Sequence, residues 1–264
     1  MRLTQLVTVR SILSRRLRSL LTLFGIILGV ASIYAINYTN QNAFLSISQL
    51  FEGTSGKVDL EVRNAVTVGK VPSNLLEIVL QTEGVLDAVA IVKIPAVLPG
   101  EIPTEMDLDF FGTSAGGLIL YGIDPIKDRN LREYRLTQGD FLDPNSTQLQ
   151  MVLVEDYALD QSIKVGQTIQ VLTEFGLKDI EVIGFIAKEG AGLTNLGKFG
   201  ILNLSVAQDL SRSLDEVDQI DIVAKVDSGD PALLENLRNA LMVQLGDAYA
   251  VVFPASQGER MSLM

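Results

Sequence analysis

From Ser19 to Phe51 the chain carries no charged residue, and within that stretch Leu20–Ile36 (LLTLFGIILGVASIYAI) is almost entirely apolar. A helix over Ser19–Asn37 would be about 28 Å long, close to the hydrocarbon thickness of a bilayer. The pattern therefore predicts a transmembrane helix. Before it, residues 2–17 place Leu6, Val9, Leu13 and Leu17 at three- and four-residue steps among arginines. That is the pattern of a basic amphipathic helix lying on a membrane surface. After it, Asn37–Phe51 continues without Gly or Pro, and Ala43, Phe44, Ile47, Leu50 and Phe51 keep the helical step. The membrane helix is thus expected to run on as a stalk, ended by Gly53 and Gly56.

Beyond the stalk the period changes. Val58–Val62 (VDLEV) alternates as a strand, Asn74–Thr82 has helical spacing, Gly84 stops it, and Val85–Val97 is a long apolar strand region. A second unit of the same shape lies near the end. Gln219–Val226 reads as a strand, Asp230-Pro231 opens a helix over Ala232–Leu245, Gly246 stops it, and Tyr249–Phe253 is a strand. Two β-α-β units predict an α+β domain with a ferredoxin-like, split β-α-β sheet. Between them, Leu118–Ile123, Gln150–Val154, Thr168–Thr173 and Lys178–Ile186 read as strands, the last two as a hairpin around Phe175-Gly176. Ser205–Ser213 reads as a short helix and Gly190–Gly200 as a Gly-rich loop. The organisation expected is a cytoplasmic amphipathic helix over 1–18 and a transmembrane helix and stalk over 19–51. An α/β base follows over 52–100 plus 205–253, with an inserted β-rich lobe over 101–204. Residues 254–264 would start a returning stalk helix.

Charge adds an orientation. The chain has 264 residues and a net charge of −11, from 21 Lys+Arg and 32 Asp+Glu. Yet Arg2, Arg10, Arg15, Arg16 and Arg18 precede the apolar run with no acid among them. The positive-inside rule puts the N-terminus in the cytoplasm and the acidic body outside. A cleaved signal peptide fits less well, because the apolar run exceeds the usual length and Ile33-Tyr34-Ala35 lacks a small residue at its first position. Gly25 and Gly29 form a small-xxx-small pair suited to close helix packing. An acidic body argues against a nucleic-acid partner.

Composition removes much chemistry. His, Cys and Trp are absent, which rules out Ser-His-Asp and Cys-His catalysis, Cys/His zinc sites and disulfides. Gly192–Lys198 comes near a phosphate-binding loop, but Phe199 stands where a Ser or Thr must hold Mg²⁺. Glu101, Glu105, Asp107 and Asp109 cluster without a calcium-loop pattern and read as a solvated acidic loop. Their apolar neighbours Met106, Phe110 and Phe111 (with Leu108) form a candidate partner-binding patch. No G-x-S-x-G elbow is present. No catalytic, cofactor-binding or metal residue is expected.

Three segments carry a family resemblance. Arg16–Ile36 resembles the first membrane helix of MacB/LolC/FtsX-type ABC transporter permeases. Tyr121-Gly-Ile-Asp-Pro125 followed by Leu136-Thr-Gln-Gly-Asp-Phe141 resembles a second stretch of their MacB-like periplasmic core domain. Ile163–Thr168 leading to Ile180–Phe185 resembles a third. The resemblance implies a bacterial inner-membrane protein with its main domain periplasmic or extracellular, composed of a porter-like base and an inserted lobe. It implies a separate ABC ATPase subunit, a second permease copy or paralogue, the remaining permease helices, and an extracytoplasmic adaptor or substrate protein as partners. The activity implied is mechanotransmission: ATP hydrolysis in the cytoplasm moves the outer domain. Family permeases have four membrane helices, whereas one is read here, which suggests a truncated or split permease. The alternative function is a single-pass anchored sensor or scaffold domain that binds an extracytoplasmic partner.

Overall fold

The computed structural model describes residues 24–32, 34, 56–66, 69–99, 117–225 and 231–254. The chain divides into two compact units, Met1–Gln49 and Leu50–Met264. In the first, residues 24–32 and 34 are helical and exposed. Among the described residues, no helix is long and apolar enough to cross a membrane. The amphipathic helix expected over 2–17, the stalk over 37–51, the acidic loop over 101–109 and the returning helix over 255–264 lie outside the described residues.

The second unit is a mixed α+β domain. Its strands are β1 (Leu60–Asn64), β2 (Val71–Pro72), β3 (Val85–Val97), β4 (Leu118–Ile123), β5 (Leu136–Gly139), β6 (Gln150–Val154), β7 (Thr168–Thr173), β8 (Gly176–Ile186), β9 (Phe199–Asn203), β10 (Glu216–Val217), β11 (Gln219–Ala224) and β12 (Tyr249–Val252). Its helices are α1 (Leu75–Gln81), α2 (Asp128–Leu131), α3 (Glu155–Asp160), α4 (Leu204–Leu210) and α5 (Pro231–Leu245). A 3₁₀ segment covers Gly190–Gly197.

One end is a four-stranded antiparallel sheet in the order β12-β1-β11-β3, so the two strand–helix–strand units interleave. Alternation along the strands sends Leu60, Val62, Ile220, Ile222 and Val251 to one face. There they join Val79 of α1 and Leu234, Leu237 and Leu241 of α5 in the main core. The helices also meet each other, the Thr82 hydroxyl donating to Gln244 Oε1 at 2.9 Å.

β3 is too long for this sheet alone. Val85–Ile91 pairs with β11, while Val92–Ala96 pairs with β4 on the way to the other end of the domain. There β3, β4, β9, β6, β8 and β7 pair in a ring, closed by Ala96 with Thr173 and Val97 with Leu172. The β4–β9 and β6–β8 pairs are parallel and the rest of the ring is antiparallel. A ring has no free edge to template aggregation. Its inward side chains, among them Leu120, Met151, Leu153, Val171 and Ile180, are buried and continuous with the core of the open sheet.

The stretch expected to be a loop over Gly190–Gly200 departs from that reading. It turns at Asn195 and Leu196, both with left-handed backbone, and is already strand at Phe199. Asn195 ties the turn by donating to the carbonyls of Lys198, at 2.6 Å, and Gly117, at 3.2 Å. Every residue of β9 is buried, because it runs through the middle of the ring between β4 and β6.

Candidate functional site

The chemistry of the domain concentrates on the other face of the four-stranded sheet. Alternation places Glu61 and Arg63 of β1, Gln219 and Asp221 of β11, and Lys93 of β3 on that face. In a sheet coated on one side only, these residues would be solvated. Here the face is covered by the chain between β4 and β5. Asp124 builds the covering turn: its Oδ1 accepts the backbone N–H groups of Ile126 at 3.0 Å and Lys127 at 3.1 Å. Asp124-Pro125 thereby starts α2, whose Leu131 enters a small apolar cluster with Val58, Val89 and Val223, separate from the main core.

α2 also delivers charge. The Arg132 guanidinium donates to Asp128 Oδ1 at 2.6 Å, one turn back, and to Asp221 of β11. Asp128 accepts at its other oxygen from the Tyr134 hydroxyl at 2.6 Å, and Asp221 from Gln219 Nε2 at 2.6 Å. Arg63 pairs with Glu61. Lys93 Nζ lies 5.8 Å from the centre of the Tyr121 ring, and its backbone N–H donates to Asp218 at 2.6 Å. The acids Glu61, Asp128 and Asp221 are thus matched by the bases Arg63, Lys93 and Arg132, and Asp128 and Asp221 are fully buried.

Titration follows from this burial. Burial raises Asp128, against the lowering effect of Arg132 and the Tyr134 hydrogen bond. Burial opposes the charge on Arg132, but Asp221 and Asp128 outweigh it and raise the guanidinium above its ordinary value. Burial lowers Lys93 and pushes Tyr121 up to about 12. Glu61 is raised by burial and by Asp221, more than Arg63 and Lys93 lower it.

A raised carboxylate binds its proton more tightly in the folded state. Its stabilising contribution is therefore complete below the ordinary carboxylate pKa and lost as pH rises through the raised value. Glu61→Gln is expected to flatten the pH dependence of the unfolding midpoint above the ordinary carboxylate range, with the variant gaining on the parent as pH rises. Circular dichroism from that range upward checks this. An unchanged slope would exclude Glu61 as its source.

Chemically this arrangement is an electrostatic clamp, in which buried carboxylates share the guanidinium of Arg132. Among the described residues no group of three or more acids could hold a metal ion. On the solvent side of the clamp, Pro125, Ile126, Arg129, Asn130, Leu142 and Pro144 line an open cleft of about 360 Å³.

Of the residues singled out in the sequence, Gly25 and Gly29 lie in the helical segment over 24–32, where among the described residues nothing beyond their own helix comes within 4 Å of where a Cβ would stand. Met106, Phe110 and Phe111 lie outside the described residues. The clamp was missed, because Glu61 and Asp221 fall on the polar phase of alternating strands. The Asp128/Arg132 spacing of one helical turn was its only signal.

The glycines of the quoted stretches mark close approaches. A Cβ on Gly122 would stand 2.2 Å from Ala207 Cβ of α4. One on Gly184 would stand 2.2 Å from the Asp140 carbonyl.

Residues 19–240 match the model of the MacB-like periplasmic core domain. The chain belongs to this family. It is a MacB-like periplasmic domain of the kind carried by ABC transporter permeases. Among solved structures, the fold resembles the periplasmic region of MacB from Actinobacillus actinomycetemcomitans. Identity is 11% and the TM-score 0.53, over 83% of this chain and 99% of that one. The extracellular domain of the noncanonic ABC-type transporter YknZ from Gram-positive bacteria matches at 13% identity and TM-score 0.48, over 74% of this chain and 98% of that one. No curated protein matches the chain. In this MacB-like domain the clamp lies where the segment after Tyr121-Gly-Ile-Asp-Pro125 crosses the open sheet.

Proposed function

We propose that this chain is the N-terminal part of a permease subunit of a MacB-type ABC exporter, coupling cytoplasmic ATP hydrolysis to movement of its extracytoplasmic domain. The observation that carries the reading is the family match over residues 19–240. It takes in the uncharged run from Ser19 as well as the folded domain, so the membrane-spanning pattern and the outer domain fall within one family unit. In this reading Leu20–Ile36 crosses the inner membrane, the arginine-rich head faces the cytoplasm, and the domain stands outside. The open sheet with α1 and α5 serves as a porter-type base and the ring as its inserted lobe. Hydrolysis belongs to a separate ABC ATPase subunit. Gly25 and Gly29 are available for packing against another membrane helix, from a second permease copy or from the remaining permease helices. Met106, Phe110 and Phe111 are the candidate contact for an adaptor or substrate protein. The chain itself contributes no catalysis and no cofactor.

The test is affinity capture of the full chain, extracted from membranes in which its genomic neighbours are expressed, followed by mass spectrometry. Recovery of an ABC ATPase and further permease helices is expected. Recovery of the chain alone, in a detergent that leaves related exporters assembled, would replace this reading with an anchored binding domain.

A further inference from the structure

We infer that α2 is the coupling element between the chain entering the domain at Gly56–Val58 and the ring of strands. The contact is built three ways. The Lys57 backbone N–H donates to the Leu131 carbonyl at 2.9 Å, and its ammonium group donates to the Asn130 carbonyl at 3.0 Å. Gly56 lies so close that an added Cβ would stand 2.4 Å from the same Leu131 carbonyl. Val58 shares the apolar cluster with Leu131, Val89 and Val223. The chain at Gly56–Val58 thus meets the end of α2 before it enters β1.

On its other side α2 continues directly into the ring. The Asp124-Pro125 turn joins it to β4, and the residues after Tyr134 become β5, which pairs with β8. A displacement of Gly56–Val58 therefore reaches two strands of the far end through one short helix, without passing through the four-stranded sheet.

The way α2 is held to that sheet suits such a part. Its apolar anchorage is the four-residue satellite cluster rather than the main core. The rest is ionic, Arg132 to Asp221. Ion-paired groups regain hydration when they separate, so a charged anchorage opens with less net cost than a well-packed apolar one of the same size. The pair fixes the position of α2 while it is closed and lets it slide when it is pulled.

This inference rests on the transmission reading, but its test does not need an ATPase. Hydrogen exchange of the full chain would be read at four amides: Lys57, bonded to Leu131; Asp128, bonded to Asp124; Asn130, bonded to Lys127; and Arg132, bonded to Asp128. In Asp221→Asn these four are expected to speed up by one common factor, about tenfold, as a single opening unit, while amides of β9 keep their parental rates. Should α2 speed up with Lys57 unchanged, the coupling is refuted. Should β9 speed up by the same factor, Asp221 is only a stability residue and the inference also falls. Lys57→Met removes a single exposed donor and preserves the fold. It is expected to accelerate Asn130 and Arg132 severalfold, and parental rates there would count against the coupling. Failure of the exchange result leaves the exporter reading intact. Failure to capture an ATPase, with cooperative exchange observed, leaves the coupling as a property of an anchored domain.

Discussion

Arg132→Met is expected to destabilise the folded domain by ~3–5 kcal/mol, because it strands two buried carboxylates without their shared counter-charge. Asp128 and Asp221 are both fully buried, and both accept from this one guanidinium. Without it they repel each other in a site with little water to screen them. The midpoint of urea unfolding, followed by far-UV circular dichroism, checks the loss, and an unchanged slope would show that the unfolded reference is the same. The triple variant Arg132→Met, Asp128→Leu, Asp221→Leu is expected to recover part of the stability. A buried ion cluster replaced whole by apolar groups no longer carries uncompensated charge. Recovery would be incomplete, since Tyr134 and Gln219 lose their acceptors. A triple variant less stable than Arg132→Met would mean that the network contributes more than its internal compensation.

Gly139→Ala is expected to cost ~2–5 kcal/mol, combining left-handed backbone with overpacking. Gly139 has φ +71°, and its Cβ would stand 2.2 Å from the Ile183 carbonyl of β8. A backbone carbonyl in a ladder cannot swing away as a side-chain tip can. Gly166→Ala is the matched control. It also has positive φ, at +82°, but nothing lies within 4 Å of its Cβ. Its cost is therefore the conformational one alone, about 1 kcal/mol. Thermal unfolding of the two variants side by side separates crowding from backbone strain. Equal losses would assign the whole effect to φ.

The elements that were legible in the sequence are those whose periodicity is local. β4 and β6 fall on the residues the pattern gave, and β3 reads correctly as a long apolar run because its middle is buried on both faces. The interleaving of two strand–helix–strand units was also accessible, since each unit has its own helix stop. β9 was hidden by its neighbours: a Gly-rich stretch leads into it and Gly200 sits within it, so turn composition masked five buried residues. Ring closure could not be read, because it joins residues far apart in the sequence through two residue pairs. The clamp was illegible for a different reason. Alternation assigns Glu61 and Asp221 to solvent, and only tertiary structure shows that both are buried and that Arg132 reaches Asp221. The family itself was legible in Tyr121–Pro125 and its companions. Gly122 and Asp124 of that stretch have jobs at one location, a close approach to α4 and the turn that launches α2.

The strand order also dictates when each part can form as the chain emerges, N-terminus first, into the compartment where it folds. β1 lies between β11 and β12, so Glu61 waits for Asp221 on one edge and for Val252 on the other. Nothing emerging in between can complete that sheet. Strands β4 to β9, with the distal end of β3, can pair as soon as Asn203 has been made. Emergence from the N-terminus therefore favours a vectorial order in which the central lobe matures before the base that flanks it in sequence. Until the last strand arrives, the exposed edges of β1 stand open, and that nascent interval is when the protein has most need of a chaperone.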